Sequence, residues 1–357
     1  MRVRPPARRH PLVFLMGAVA IFAAVGCERA APEPRPDGLP ESLFWGVRAT
    51  QGTTYVMDLA LLRTWEEELG IKCFTTQVAS SVAAFPHLQS GRLHVWQSGI
   101  RDAYLANHGS AEYEDADFDI RIFFKTADVH LAFVVLPDSG IERMEDLAGR
   151  TITYTSKRAV TMTEAGTALL DFYGIGDQVR DIPNLSMREK HAALIEGRVD
   201  ASLEGLPNVD VIWRDEPGAR PLDLSNEATA YVQQRYPWFW GETASPDWRM
   251  YKENYRGVGP GFDYPRHAAT TQVATFVDVS ADEKLVYTLL ETMYARFDSL
   301  LEIHPYFRDY AVDRIASETV SVPYHAGTVR YLKDVGVWTD AMEANQQRLL
   351  GELGATR

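Results

Sequence analysis

Hydroxyl-bearing side chains recur at three successive turns in the first third of the chain, each between an apolar run and a helix-like run. The turns carry, in order, Thr50, Gly52, Thr53 and Tyr55; Ser80 and Ser81; and Ser98, Arg101 and Tyr104. Hydroxyl groups and the unpaired first N–H groups of a helix suit the binding of anions such as carboxylates. The same hydroxyls also serve as ordinary helix caps, and at the first turn the sequence favours neither interpretation.

A further loop, at residues 155–163, combines hydroxyls with two basic side chains. Its polar members are Ser156, Lys157, Arg158, Thr161 and Thr163. This composition favours contact with an anion over the alternative, a solvated basic turn. We therefore expect Ser156, Lys157 and Thr161 to face the same ligand as the first three turns.

Alternating strand-like and helix-like runs position the first three turns. Apolar runs at 42–47, 71–78 and 93–97 indicate strands, and the run that ends at Gly70 has apolar residues at helical spacing. Right-handed crossovers bring the carboxyl ends of such parallel strands to one edge of a sheet. Ligands bind at that edge in open α/β sheets, so the three turns are predicted to share a site.

The stretch from Leu131 to Thr155 indicates a chain that passes from one lobe to another. An apolar strand at 131–136 leads through a polar turn and a short helix to Gly149 and a second strand, and residues 271–279 have the pattern of a returning strand. We predict an α/β protein of two lobes with a hinge of two connecting strands and a ligand cleft between them. The predicted lobes are residues 42–136 with 272–357, and residues 137–271.

The N-terminus has the features of an export signal. Arginines precede an apolar run at 12–25, which is shorter than the roughly 20 residues that span a bilayer. Small residues before Cys27 resemble the lipobox of bacterial lipoproteins. We expect residues 1–26 to be a signal peptide and Cys27 to carry a lipid; a plain signal peptide with an incidental cysteine is the alternative. The proline-rich residues 27–41 would then form a membrane tether.

Several classes of function lack support in the sequence. The formal net charge is -13 and the basic residues form no stripe, which argues against nucleic acid as a partner. The patterns of zinc proteases, paired cysteines, serine-hydrolase elbows and phosphate loops are missing. We therefore expect no metal, no cofactor and no catalytic residue.

Four stretches resemble the TAXI group of substrate-binding proteins, the extracytoplasmic receptors of certain tripartite ATP-independent periplasmic (TRAP) transporters. They are Thr50-Gln-Gly-Thr-Thr-Tyr55, Asp138-Ser-Gly-Ile with Glu145-Asp-Leu-Ala-Gly149, Ala192-Ala-Leu-Ile-Glu-Gly197, and Val322-Pro-Tyr-His-Ala-Gly327. The second and third stretches occur in many type II periplasmic binding proteins. The first and last, in this order, point to the TAXI group.

The resemblance implies a two-lobed type II periplasmic-binding-protein fold and a lipid-anchored receptor in the periplasm. Such a receptor captures a small solute, here predicted to be an organic acid or an acidic amino acid, and delivers it to the membrane subunits of a TRAP transporter. A receptor for an ABC importer and a ligand-sensing lipoprotein remain alternatives. An enzyme on the same scaffold is disfavoured. The predicted ligand contacts are Thr50, Gly52, Thr53, Tyr55, Ser80, Ser81 and Arg101 from lobe 1 and Ser156, Lys157 and Thr161 from lobe 2.

Overall fold

The computed structural model describes most of the chain that follows the predicted tether. The described residues are 37–114, 117–157, 159–205, 212, 215, 216, 218–240 and 267–356. The predicted signal peptide, Cys27 and most of the predicted tether lie outside these residues. Among the helices within them, none has both the length and the apolar composition needed to cross a bilayer.

The secondary structure alternates strands and helices, as the sequence predicts for an α/β protein. The strands are β1 (Ser42–Val47), β2 (Lys72–Gln77), β3 (Val95–Gly99), β4 (Ile120–Val135), β5 (Thr151–Thr153), β6 (Arg180–Asp181), β7 (Ala201–Gly205), β8 (Arg220–Pro221), β9 (Phe239–Trp240) and β10 (Ala269–Asp278). The helices are α1 (Thr53–Leu69), α2 (Ser81–Gln89), α3 (Ile100–Asn107), α4 (Val160–Phe172), α5 (Met187–Ile195), α6 (Asn226–Arg235), α7 (Glu283–Ala295), α8 (Phe297–Ile303), α9 (Ala326–Asp334) and α10 (Asp340–Thr356).

All strands belong to one mixed sheet with the order β2-β1-β3-β10-β4-β7-β5-β6. β1 is parallel to β2 and β3, and β5 is parallel to β6 and β7. In the sheet as described, the antiparallel strands β10 and β4 lie between the two parallel groups. We call the part built on β1–β3 the first lobe and the part built on β5–β7 the second lobe. The predicted fold class, two α/β lobes with a hinge of two connecting strands, is confirmed.

The two connecting strands are long and irregular where they pass between the lobes. Their pairing shifts register between Val273 and Ala274 and again between Thr275 and Phe276. Such shifts mark β-bulges, which bend a strand locally. The chain therefore changes direction within two continuous strands, and the exact lobe boundaries stay a prediction.

β4 is longer than the strand at 131–136 that the sequence predicts, because it also includes the mostly apolar run at 121–124. The structure has one strand across both runs. Polar residues in the middle hide this continuity in the sequence, but the structure pairs them: Lys125 Nζ lies 2.8 Å from Asp128 Oδ2, and Thr126 Oγ1 donates to Val273 O at 3.0 Å. A strand can carry polar residues through its centre when each finds a partner.

The first helix illustrates how the sequence forms and closes an element. Met57, Leu61 and Trp65 are spaced along one face of α1 and are all buried. Gly70 ends the helix with φ 63°, a left-handed conformation that favours glycine, and its N–H donates to Glu66 O at 3.0 Å. The indole Nε1 of Trp65 donates to Leu289 O at 2.9 Å, which ties α1 to α7.

The apolar core follows the alternation of side chains along β4. Leu131, Phe133 and Val135 pack into the main core, whereas Ala132 and Val134 pack on the other face of the sheet. Both faces of the sheet are thus covered in the second lobe.

Candidate functional site

A cavity of about 550 Å³ lies at the carboxyl ends of β1 and β3 and is closed on its far side by the start of α4. Its walls therefore come from both lobes. This is the edge of the sheet at which α/β proteins bind ligands. The lining residues are Gly46, Val47, Arg48, Ala49, Gln51, Gly52, Thr53, Thr54, Tyr55, Asp58, Gln97, Ser98, Gly99, Arg101, Asp102, Glu112, Ala159, Val160, Thr161 and Val273.

Three helices begin at this cavity without a side chain to cap them. The N-cap residues are Gly52 for α1, Gly99 for α3 and Ala159 for α4, and none of them makes a side-chain capping hydrogen bond. The first helical hydrogen bond of α1 runs from Val56 N to Gly52 O at 3.2 Å, so the N–H groups of residues 53–55 precede the helical ladder. Uncapped N-termini carry partial positive charge and attract anions.

Two arginines reach the cavity wall, and both are already paired with carboxylates. Arg101 donates through Nε to Glu164 Oε1 at 2.8 Å and through Nη1 to Glu112 Oε1 at 2.9 Å. Arg48 contacts Asp102 Oδ2 at 3.5 Å. Their positive charge is therefore largely neutralised before any ligand enters.

The pairing of Arg101 with Glu164 connects the two lobes. Arg101 belongs to α3 of the first lobe and Glu164 to α4 of the second, and their side chains are 9% and 13% exposed. Trp238 completes the cluster: its indole Nε1 donates to Glu164 Oε2 at 3.1 Å, and the Arg101 guanidinium lies 5.5 Å from its ring centroid. We call Arg101, Glu164 and Trp238 the latch.

Asp58 is the one carboxylate of the cavity wall, among the described residues, that no cation pairs. It lies on α1 and is 4% exposed, and its Oδ1 has no hydrogen-bond partner. Burial raises the pKa of the Asp58 carboxyl to about 7, because the charged form loses its hydration. Asp58 can therefore hold or release a proton near neutral pH.

The predicted contact residues fall into two sets. Gly52, Thr53, Tyr55, Arg101 and Thr161 line the cavity. They come from the first and third turns and from the start of α4, so the structure brings both lobes to one space. Whether they touch a ligand stays a prediction.

The other predicted contacts lie outside the lining. Ser80 Oγ accepts from Ala83 N at 3.3 Å as the cap of α2, the alternative role for such hydroxyls. Ser81 is buried and hydrogen-bonds the Asp102 carboxylate. Ser156 N donates to Thr163 Oγ1 at 2.8 Å, and Lys157 N donates to Asn184 Oδ1 at 3.0 Å. Thr50 is exposed beside the lining residue Gln51.

The sequence analysis missed Asp58, Asp102 and Glu164. A signal for Asp58 exists: it lies three and four residues before the buried Leu61 and Leu62, so helical spacing places it on the apolar face of α1. An aspartate on such a face is unusual and marks a candidate site. No comparable signal exists for Glu164, whose partner is remote in sequence.

A second cavity, of about 520 Å³, lies at the amino ends of β1 and β3. Its walls are mostly apolar and include Leu39, Leu43, Leu88, Leu93, Val95 and Leu285. It lies at the opposite edge of the sheet from the three helix N-termini. Within the described segments, no cluster of three or more histidine, cysteine, aspartate or glutamate residues could hold a metal ion.

Solved structures of other proteins are similar to the chain over most of its length. The aliphatic sulphonate binding protein SsuA from Escherichia coli is 13% identical, with 89% of this chain and 88% of that chain covered and a TM-score of 0.46. A Xanthomonas citri protein solved with ATP bound is 16% identical, with 87% and 99% covered and a TM-score of 0.45. Similarity at this level supports no inference about the solute.

Sequence comparison gives the clearer result. No curated protein matches the chain significantly. The sequence model of the NMT1-like family matches residues 47–336, which include the cavity wall except Gly46, and both connecting strands. The matched region covers well over half of the chain, and the chain therefore belongs to the NMT1-like family.

Proposed function

We propose that this protein is an extracytoplasmic solute-binding receptor that closes its two lobes around a small solute carrying a carboxylate. One observation carries the proposal: three uncapped helix N-termini, two from the first lobe and one from the second, open onto one cavity. Each supplies unpaired N–H groups and partial positive charge. A carboxylate bound there would satisfy donors from both lobes at once.

The closing movement follows from the same geometry. A solute that contacts both lobes binds the closed form more tightly than the open form and so shifts the population toward the closed form. Bending is expected where β4 and β10 change register, because the bulges already interrupt the ladder there. The latch would stabilise the closed form further, since it joins α3 of the first lobe to α4 of the second.

We propose a TRAP transporter as the destination of the solute. The support is the resemblance of four stretches to the TAXI group. The proposed receptor is a lipoprotein anchored through Cys27 and held in the periplasm by the tether. There are two competing functions: delivery of the solute to an ABC importer, and signalling to a membrane sensor. Reconstituted uptake with each type of membrane subunit separates them: only the TRAP subunits are expected to transport the solute.

We propose binding, not turnover, as the activity. A thermal-shift screen of small carboxylates, with and without amino groups, is the direct test. At least one solute is expected to raise the melting temperature and to be recovered chemically unchanged after incubation. If no carboxylate in a broad panel stabilises the protein, the proposed receptor function is wrong.

A further inference from the structure

We infer that the solute carries a protonated amine or guanidinium group in addition to its carboxylate, and that Asp58 binds this cation. The inference rests on the proposed function and narrows it. A simple organic acid would fill only part of the site. The expected ligand class is a small zwitterion or a carboxylate with a cationic side group.

Asp58 carries a buried carboxylate oxygen that the described residues leave without a hydrogen bond. The residue lines the cavity but is only 4% exposed, and its Oδ1 has no hydrogen-bond partner in the described part of the chain. A buried carboxylate oxygen without a hydrogen bond is unfavourable, and such groups in native proteins call for an explanation. A ligand that donates hydrogen bonds to Asp58 provides one.

The two arginines of the described cavity wall are already paired with other side chains. In the cavity wall, Arg101 is held by Glu164 and Glu112, and Arg48 by Asp102 and by Ser81 Oγ at 3.1 Å. None of these groups contributes to the pKa shift of Asp58, whose cause is burial alone.

A tyrosine is a further titratable residue that interacts with Asp58. Tyr310 lies in the short helix Pro305–Tyr310, and the charge of Asp58 contributes to raising the pKa of its phenol. Its hydroxyl accepts from Gln97 Nε2 at 3.5 Å. Tyr310 is neutral at physiological pH and therefore cannot neutralise Asp58.

The proposed carboxylate subsite at the N-terminus of α1 and the proposed cation subsite at Asp58 lie on one helix. Asp58 follows the first residue of α1, Thr53, by five positions on the same helix, which corresponds to about 7.5 Å along the helix axis at 1.5 Å per residue. A carboxylate at the N-terminus and a cation at Asp58 are thus within reach of one small molecule. The helix itself fixes the separation of the two charges that the site recognises.

Proton release is the signature of this arrangement. Near neutral pH, part of the ligand-free protein holds a proton on Asp58, since burial raises its pKa to about 7. A bound cation stabilises the carboxylate, so the proton leaves to the buffer as the ligand enters. Affinity should rise about tenfold per pH unit below pH 7 and become constant above it, because only the ionised carboxyl pairs with the cation.

The experiment is isothermal titration calorimetry on the purified protein with matched pairs of probes. The pairs are γ-aminobutyrate with butyrate, 5-aminovalerate with valerate, and glutamate with glutarate. In at least one pair the amine-bearing member is expected to bind at least about tenfold more tightly, because it adds a charge-assisted hydrogen bond. A tenfold change in affinity corresponds to about 1.4 kcal/mol. Repeating the titration at pH 6.5 in buffers of different ionisation enthalpy should reveal proton release.

The variants are Asp58→Asn and, as a matched control on the same helix, the exposed Glu66→Gln. Asp58→Asn keeps the shape of the side chain and breaks no hydrogen bond of the described structure, so it is expected to fold. It should abolish both the preference for the amine and the proton release, whereas Glu66→Gln should change neither.

The outcomes separate the inference from the proposed function. If carboxylates without an amine bind as tightly as their partners, or if Asp58→Asn leaves the preference intact, the inference is wrong and the receptor function stands. If wild-type binding releases no proton at pH 6.5, the inference is likewise wrong. If no probe of either type binds, both the inference and the proposed function are contradicted.

Discussion

Asp58, the proposed cation-binding residue, is expected to lower the stability of the folded protein. Its pKa rises from an ordinary value of 3.8 to about 7 on folding. At about 1.4 kcal/mol per pKa unit, this shift corresponds to at most about 4 kcal/mol against the folded state at high pH. The group is buried, so solvent screening reduces this figure less than it would at the surface.

The sign of the pH dependence follows from the two pKa values. Below pH 3.8 the carboxyl is protonated in both states and contributes nothing. Between pH 3.8 and 7 the unfolded chain releases the proton while the folded protein keeps it, so stability falls as pH rises. Above pH 7 both forms are ionised and the loss is complete and constant.

We therefore predict that Asp58→Asn stabilises the ligand-free protein. The gain in the free energy of unfolding should grow from pH 4 to pH 7 and level off at a few kcal/mol. Urea denaturation across that pH range measures it. Glu66→Gln should show no such trend, and a destabilised Asp58→Asn protein at pH 8 would mean that the carboxylate has a partner.

At the scale of the single helix, Gly99 tests the role of the uncapped N-termini. Its φ of -62° is accessible to any residue, and a Cβ there would lie no closer than 4.0 Å to its nearest neighbour, Gln272 O. We predict that Gly99→Asp caps α3, keeps or raises the melting temperature, and weakens carboxylate binding at least about tenfold by placing a negative charge in the site. Differential scanning calorimetry measures the melting temperature, and isothermal titration calorimetry measures the affinity for the carboxylate.

Gly99→Ser is the matched control for charge. Serine caps a helix as well as aspartate does but is neutral. It should weaken binding much less than the aspartate variant. If the two substitutions reduced the affinity for the carboxylate equally, the cause would be side-chain volume and not charge. That result would contradict an anion subsite at the N-terminus of α3.

The close packing of α9 on α7 predicts that a larger side chain at Gly327 lowers the stability of the protein. A Cβ on Gly327 would lie 2.5 Å from Glu283 O and 2.9 Å from Val286 Cβ. Gly327→Ala should therefore destabilise the protein by about 1–3 kcal/mol. Gly351→Ala in α10, where a Cβ meets nothing within 4 Å, should stabilise it by about 0.5–1 kcal/mol. Urea midpoints that change by the same amount in both variants would contradict this packing.

The sequence was most informative about elements whose signals are local. The end of the first helix at Gly70 and the turns that bear Thr53 and Ser98 all depend on neighbouring residues, and all are found in the structure. The continuity of β4 was missed, because its polar centre is satisfied only by contacts made after folding.

Pairing across the lobes could not be read from the sequence. Arg101 was predicted as a ligand contact because it follows a strand. The structure places it at the cavity but binds it to Glu164, which is 63 positions away. The sequence shows that Arg101 is positively charged but not that Glu164 neutralises it. The net charge of the site could therefore be found only from the folded structure.

For the whole molecule, we expect the latch to limit how far the lobes separate, because it joins α3 of the first lobe to α4 of the second. Glu164→Gln removes the charge that holds Arg101 across the cavity, while Glu112 still neutralises the arginine. We predict a larger radius of gyration of the ligand-free variant in small-angle X-ray scattering, and recovery of the wild-type value when a tightly binding solute is added.

The matched control is Glu196→Gln. Glu196 pairs with Arg198 at 2.7 Å on the surface of the second lobe, so its loss breaks an ion pair within one lobe. The radius of gyration of this variant should equal that of the wild type. An unchanged radius for Glu164→Gln would show that the latch does not hold the lobes together.

The central claim is that one solute lies between the lobes, with its carboxylate at the helix N-termini and its cation at Asp58. A crystal structure of the protein with the tightest solute from the screen tests it directly. The account predicts carboxylate oxygens within hydrogen-bond distance of the N–H groups of residues 53–55 and an ammonium or guanidinium nitrogen on Asp58. A solute bound in the apolar cavity at the opposite edge of the sheet, or one that leaves Asp58 without a partner, would contradict it.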